Sequence, residues 1–487
     1  MRHRSHLRRW PLTPPSPSLP PHSLPPGERG FKKADFNQSP SSPWAGGCEV
    51  GEEGRGGEGP GGGLRLGVLL TLLVVTAAPV FAETIAITGA KIHTVGPQGT
   101  IENGTLIIED GKIRAVGAAL PVPAGTGKII DARGKVVTPG LFDSLSRIGL
   151  VEVNAAHGSD DATAEDDRIT AAFKVVDAYN PRSTLIPVNR IEGLTRAVVM
   201  PNPGKSLIAG QAAVVNLGGP GDYLVRSPAA MFAVLGEAGA ELAGGARGSA
   251  LLRLREALQD ALDYAANRKA FEQGNRREYA LSRLDLDALV PVVKGELPLV
   301  VAVNRASDIE STLRLARELN LKLILAGVDE GWIVARQIAE AKVPVLVNPL
   351  ENLPGNFETL GATLENAARL AKAGVTIAFM TGDAHNGRNL KQAAGNAVAY
   401  GLPWDAALAA MTAVPARIWG LADRYGTLEP GKDADVVIWD GDPLELTTFA
   451  DAVFIRGREI PMTSRQTELR DRYKDLNKPL PPAYQKP

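Results

Sequence analysis

The chain has a single cysteine, Cys48, and only six histidines in 487 residues. Because Cys48 lies in the N-terminal tail, the folded part can form neither a disulfide nor a thiolate metal site. His3, His6 and His22 share that tail, which leaves His93, His157 and His385 for the folded body. Three scattered imidazoles are too few for a metal centre built mainly of histidine. An excess of one charge sign is also missing. The 53 basic and 54 acidic side chains nearly cancel, so neither nucleic acid nor an anionic surface is favoured as a partner. There is no Walker loop, no Gly-x-Ser-x-Gly elbow and no nucleophilic cysteine. The apolar run Leu66 to Ala78 is too short to cross a bilayer comfortably, so no stable membrane span is expected.

Residues 1–63 are rich in Pro, Ser, Gly and Arg without apolar periodicity and read as disordered. Leu64-Arg65, the apolar run and Pro79-Val80-Phe81-Ala82 then have the layout of a signal peptide over 64–82. Cleavage after Ala82 leaves Glu83 as the mature N-terminus. A signal sequence opens a protein, so translation is expected to start downstream of Met1, with Leu64 as an alternative start. The expected location is the bacterial periplasm or the extracellular space.

From Thr84 onward, short strand patterns alternate with turns. Glu109-Asp110-Gly111-Lys112 predicts a hairpin, and Val136-Val137-Thr138 leads into Pro139-Gly140. A second β-rich stretch follows Gly426, with Val436 to Trp439 as its strand. Between the two, strand and helix patterns alternate. That alternation argues for a parallel (β/α)₈ TIM-type barrel. Predicted strands are Arg196–Met200, Ala212–Asn216, Leu299–Val303, Leu321–Leu325, Val345–Asn348 and Thr376–Met380. Predicted helices are Ala250–Ala270, Ile309–Leu319, Gly331–Ala341, Leu364–Ala373 and Leu390–Tyr400.

The run Pro139-Gly140-Leu141-Phe142-Asp143-Ser144-Leu145-Ser146-Arg147 resembles the Pro-Gly-Leu-Ile-Asp-x-His-x-His signature of the amidohydrolase superfamily. Gly426-Thr427-Leu428-Glu429-Pro430-Gly431-Lys432-Asp433-Ala434-Asp435 and Thr412-Ala413-Val414-Pro415-Ala416-Arg417 resemble two further family runs. The similarity is to imidazolonepropionase-like and related exported amidohydrolases and covers nearly all of 84–465. It implies a barrel over 139–417 with a helical insertion near 229–295. It also implies a small composite β-sandwich from 83–138 and 418–465, followed by a polar tail over 466–487. The activity it implies is hydrolysis of non-peptide carbon–nitrogen bonds at a binuclear metal centre of histidines, a carboxylate and often a carbamylated lysine.

Against that implied centre, the sequence departs at nearly every position. Leu145 and Arg147 stand where the His-x-His pair belongs; leucine has no lone pair to donate, and a guanidinium is a permanent cation. Asn216 falls on the lysine, Asn304 on a histidine, and Ala326 to Glu330 offer no histidine. Asp383 alone matches, as the carboxylate that in the family binds metal and shuttles a proton; its simpler role is a helix N-cap or ion-pair partner.

No cofactor and no metal are therefore expected. Zn or another divalent ion enters only through a rebuilt His157/Asp383/His385 cluster, against which His157 reads as a solvated loop residue. Asp383 is the candidate catalytic residue, and Arg147, Asn304 and His385 are candidate substrate-binding residues. An Arg147–Asp383 ion pair is predicted in place of the metals. His93 reads as structural.

Three functions follow. One is a hydrolase with weak or absent metal-dependent turnover. Another is a non-catalytic barrel that binds a small molecule or peptide. The last is a partner subunit of an intact paralogous amidohydrolase, or a homo-oligomer.

Overall fold

The computed structural model describes residues 84–154 and 156–474. The expected disordered tail and signal peptide lie outside the described residues. Among the described residues, sixteen strands fall into two sheets. The first comprises β1 (Ile85–His93), β2 (Thr100–Glu109), β3 (Lys112–Ala118), β4 (Lys128–Asp131) and β5 (Val136–Pro139) from the start of the described chain. It is completed by β14 (Val436–Trp439), β15 (Ala450–Ile455) and β16 (Arg458–Glu459) from its end. The second comprises β6 (Leu141–Ser146), β7 (Leu194–Val199), β8 (Ile208–Asn216), β9 (Leu224–Val234), β10 (Leu299–Val303), β11 (Leu323–Gly327), β12 (Val345–Val347) and β13 (Ile377–Phe379), in that spatial order.

The second sheet curls into a TIM-type barrel. Its strands are buried on both faces, which is why Leu299–Val303 and Leu323–Gly327 read as continuous apolar runs. Alternate side chains sort by face. Phe142, Val198, Val214, Phe232, Val300, Ile324, Leu346 and Ala378 form one cluster that takes a residue from every strand, which is the barrel interior. Their neighbours Leu141, Val199, Val301, Leu325 and Val345 pack outward with the helices. Trp419, Leu421 and Tyr425 close the end of the interior where the parallel strands begin. At the seam, the Gly382 N–H donates to the Leu145 carbonyl at 2.9 Å, and the Arg147 N–H to the Asp383 carbonyl at 3.2 Å.

The barrel is not all-parallel as predicted. β8 runs antiparallel to both β7 and β9. The connections 200–207 and 217–223 are too short for the dozen or more residues that a parallel crossover needs, so each makes a hairpin instead. Residues 229–234, assigned from sequence to a helical insertion, are the end of β9, and helices begin at Gly236. The first nine residues or so of the expected polar tail include the helix Arg465–Tyr473, capped by Ser464.

The first sheet is continuous, in the order β16-β15-β14-β5-β1-β2-β3 with β4 also on β1, and has its own apolar core. β14 pairs antiparallel with β5, so residues three hundred positions apart in sequence complete one sheet. The predicted hairpin joins β2 to β3, with Asp110 at φ 52° and Gly111 at φ 75°, the left-handed pair that a tight two-residue turn requires. Gly193 (φ +91°) lets the barrel approach this sheet closely, since a Cβ there would lie 2.4 Å from the Trp439 ring.

Candidate functional site

The parallel strands all end on one side, and the segments after them surround a cavity of about 600 Å³. Its floor is apolar, made by Leu145, Phe232, Ala302, Ala326 and Met380. Its walls are polar, with Arg147 after β6, Asn304 after β10, Asp329 after β11, Asn348 and Glu351 after β12, and Asp383 after β13. Gly327 ends β11 at φ +86°, and a Cβ there would lie 2.2 Å from the Asn304 Oδ1, so glycine is what lets the two strand ends pass.

Arg147 is half-buried and donates from Nη1 to the Gly382 carbonyl at 2.7 Å; its Nε is buried without a hydrogen-bond partner. Burial lowers its pKa, while Asp160, Asp383 and Glu351 pull it back up. The predicted Arg147–Asp383 ion pair is absent among the described residues, because Arg147 turns its Nη1 to the Gly382 carbonyl and Asp383 bonds within its own turn. Asp383 accepts the His385 main-chain N–H at 2.9 Å and the Asn386 side-chain amide at 2.9 Å. Burial raises the Asp383 carboxyl, but these bonds outweigh it and hold the pKa below the usual value. This is the local turn-forming role open to any aspartate, whose carboxylate can accept the main-chain N–H two residues on.

Asn304 lines the cavity and donates to the Glu358 Oε1 at 3.1 Å. His385 stands outside the lining, and its Nδ1 is buried without a partner. His157 begins the short turn His157–Ser159 in the loop after β6. Asp383 and His385 meet through main chain rather than through the ring, and no group of three His, Cys, Asp or Glu is placed to hold a metal ion among the described residues. Asn216 corrects the sequence alignment. It ends the antiparallel β8, so it lies at the opposite end of the barrel, where its Oδ1 accepts the Gly218 N–H at 3.0 Å and its amide donates to the Asp222 carbonyl. The interior residue of β9 that reaches the cavity is Phe232.

Three acids were not singled out from sequence. Asp329 has no hydrogen bond or ion pair among the described residues. Burial, and then repulsion from Glu351, Glu358 and Glu330, pushes it up to about 7. Glu351 is raised by burial, opposed by a bond from Asn348. Asp143, fully buried on β6, accepts the Thr381 N–H at 3.0 Å, the Thr381 hydroxyl and the Leu145 N–H at 3.2 Å, and so ties β13 to β6. Burial pushes it up to about 7.

A family model, the amidohydrolase family, matches residues 259–461. An amidohydrolase from Thermotoga maritima superposes with a TM-score of 0.71 at 27% identity, covering 78% of this chain and all of that one. The imidazolonepropionase of Sphingopyxis alaskensis is 25% identical over 407 residues, 74% of this chain and 92% of its own length. The chain belongs to the amidohydrolase superfamily. Amidohydrolase tasK of Hapsidospora irregularis is 25% identical over 391 residues, but the match spans only 39% of that longer protein.

A superfamily centre of imidazoles and a carbamate finds the wrong chemistry at these strand ends. Leu145 and Phe232 have no donor atoms, Arg147 is a cation, and the Asn304 amide is committed to Glu358. The residues present do not fit that centre. The signal for Asp329 was legible: an acid in the segment after a predicted strand, on the side where barrel sites form. Glu351 had no such signal, since a loop sequence does not say which side chain turns inward.

Proposed function

We propose that this amidohydrolase-superfamily protein is exported and uses its barrel mouth to bind a small ligand without the binuclear metal centre. The observation that carries this reading is the cavity itself. It is intact at about 600 Å³, within the range of small-molecule sites, while its walls present a guanidinium, amides and carboxylates instead of imidazoles. Hydrolysis of carbon–nitrogen bonds is the family's activity, yet among the described residues no group of three His, Cys, Asp or Glu is placed to hold a metal that would generate a nucleophile, and a shared fold alone does not supply one. Metal-dependent turnover is accordingly weak or absent.

Metal analysis of the purified protein, before and after incubation with Zn, Mn or Fe, tests this directly. Sub-stoichiometric metal that does not alter thermal stability is expected. Near-stoichiometric metal that is lost on Asp383→Asn would overturn the reading. Export is supported by the signal-peptide pattern over 64–82; N-terminal sequencing is expected to begin at Glu83, and retention of residues 1–63 would count against it. On the same reading the composite sheet wraps into a small sandwich about its own core. A second reading, partner subunit or homo-oligomer, draws on exposed Leu353, Phe357 and Leu360 beside the mouth.

A further inference from the structure

The four ionisable groups of the mouth do not balance. Three acids, Asp329, Glu351 and Asp383, follow the consecutive strands β11, β12 and β13 and form one wall, with Arg147 as the only base in the lining. Arg147 and Asp383 are already engaged, the first with the Gly382 carbonyl and the second with the turn it caps. Asp329 and Glu351 have no ion-pair partner among the described residues. Of the nearby bases, Arg247 is held by Asp308 at 3.0 Å and Glu358 at 3.7 Å. Asp329 is half-buried in the lining with no counter-ion, which is costly unless a ligand supplies the charge, whereas Glu351 is exposed to solvent at the rim and feels the charge of Arg147. Burial raises both of them, with repulsion from Glu351 adding to the rise of Asp329 and repulsion from Asp383 adding to that of Glu351, which Arg147 partly offsets.

Below this acidic wall lies the apolar floor, with the Phe232 ring at the end of β9 and Met380 after β13. An aromatic face near carboxylates suits a cation carried on an apolar body. A bare metal ion suits the wall poorly, because no three donors converge on one point among the described residues. An anion would meet three acids, against one arginine that is already hydrogen-bonded.

We propose that the barrel mouth takes a small organic cation, an amine, amidine or guanidine on an apolar body, whose head group pairs with Asp329 and Glu351 while the body rests on Phe232. This rests on the metal-free reading of the mouth given above. Calorimetric titration of the full chain with benzamidine and phenethylamine, against neutral benzamide, anionic benzoate and Zn²⁺ alone, is the test.

One-to-one binding of at least one of the two organic cations is expected, with at least tenfold weaker affinity in Asp329→Asn and in Glu351→Gln. Benzamide and benzoate are expected to give no heat of binding. Should Asp329→Asn fail to fold, Glu351→Gln, on a loop, carries the comparison, with thermal melting confirming its fold. Equal binding of benzamidine and benzamide, unchanged affinity in the folded variants, or no response to either cation overturns the proposal. A metal-free protein that ignores the cations defeats this inference alone. Stoichiometric Zn²⁺ that depends on Asp383 defeats the metal-free reading and this inference with it.

Discussion

Arg147 and Asp383 stand at neighbouring strand ends and nevertheless turn to backbone groups. Arg147 is thus held by a carbonyl, and its removal has a defined cost. Arg147→Met is expected to lower stability by about 1.5–3 kcal/mol, the scale of a hydrogen bond from a charged donor, measured by urea unfolding. Asp143 makes a sharper prediction through pH. Its native pKa of about 7 is raised above the unfolded value, so the protonated form is the one the fold prefers. Its stabilising contribution is full below about pH 4 and falls by about 1.4 kcal/mol per pH unit until pH 7, then levels off. Asp143→Asn, which cannot ionise, is expected to flatten that part of the stability–pH curve; an unchanged slope would rule Asp143 out as its source. Resemblance to the family's runs placed Asp383, Arg147 and Asn304 at the mouth. It could not show that the first two are engaged with main chain, because side-chain direction depends on turn geometry that no single residue type encodes.

The antiparallel β8 separates what sequence spacing had joined. The apolar patterns of β8, β10 and β11 were legible to within a few residues, since strands buried on both faces announce themselves as apolar runs. Direction was not read, although the short links 200–207 and 217–223 carried it. The error moved Asn216 by the full height of the barrel. Asn216→Ala is therefore expected to leave ligand binding at the mouth unchanged, while costing about 1–2 kcal/mol of stability through the loop bonds to Gly218 and Asp222. Titration of the variant alongside a melting curve checks both parts. The strand β9 was missed because its second half, Ala229 to Val234, adjoins helical sequence and lacks the alternation of a half-exposed strand.

At the scale of the whole molecule, barrel and composite sheet are joined by a buried charge. Arg196 on β7 points into the barrel floor, lies 3.4 Å from the centre of the Tyr425 ring and meets Asp435 at 2.6 Å, both charged groups being almost fully buried. Removing one partner strands the other charge in a dry setting. Asp435→Asn is expected to destabilise by about 3–5 kcal/mol, whereas changing both residues to apolar ones should recover part of the loss, as read by chemical denaturation. The family label was legible from three runs of residues, and Asp435 lies in one of them; its buried partner Arg196 carried no such label.

Because β5 pairs with β1 on one side and finds its other neighbour only in β14, the sheet begun by the first described residues stays open at that edge throughout synthesis of the barrel. The last stretch of chain works as a clasp. A nascent polypeptide stalled before Val436 presents a bare strand edge and an unlidded apolar face, so proteolytic quality control can distinguish an unfinished chain from a finished one.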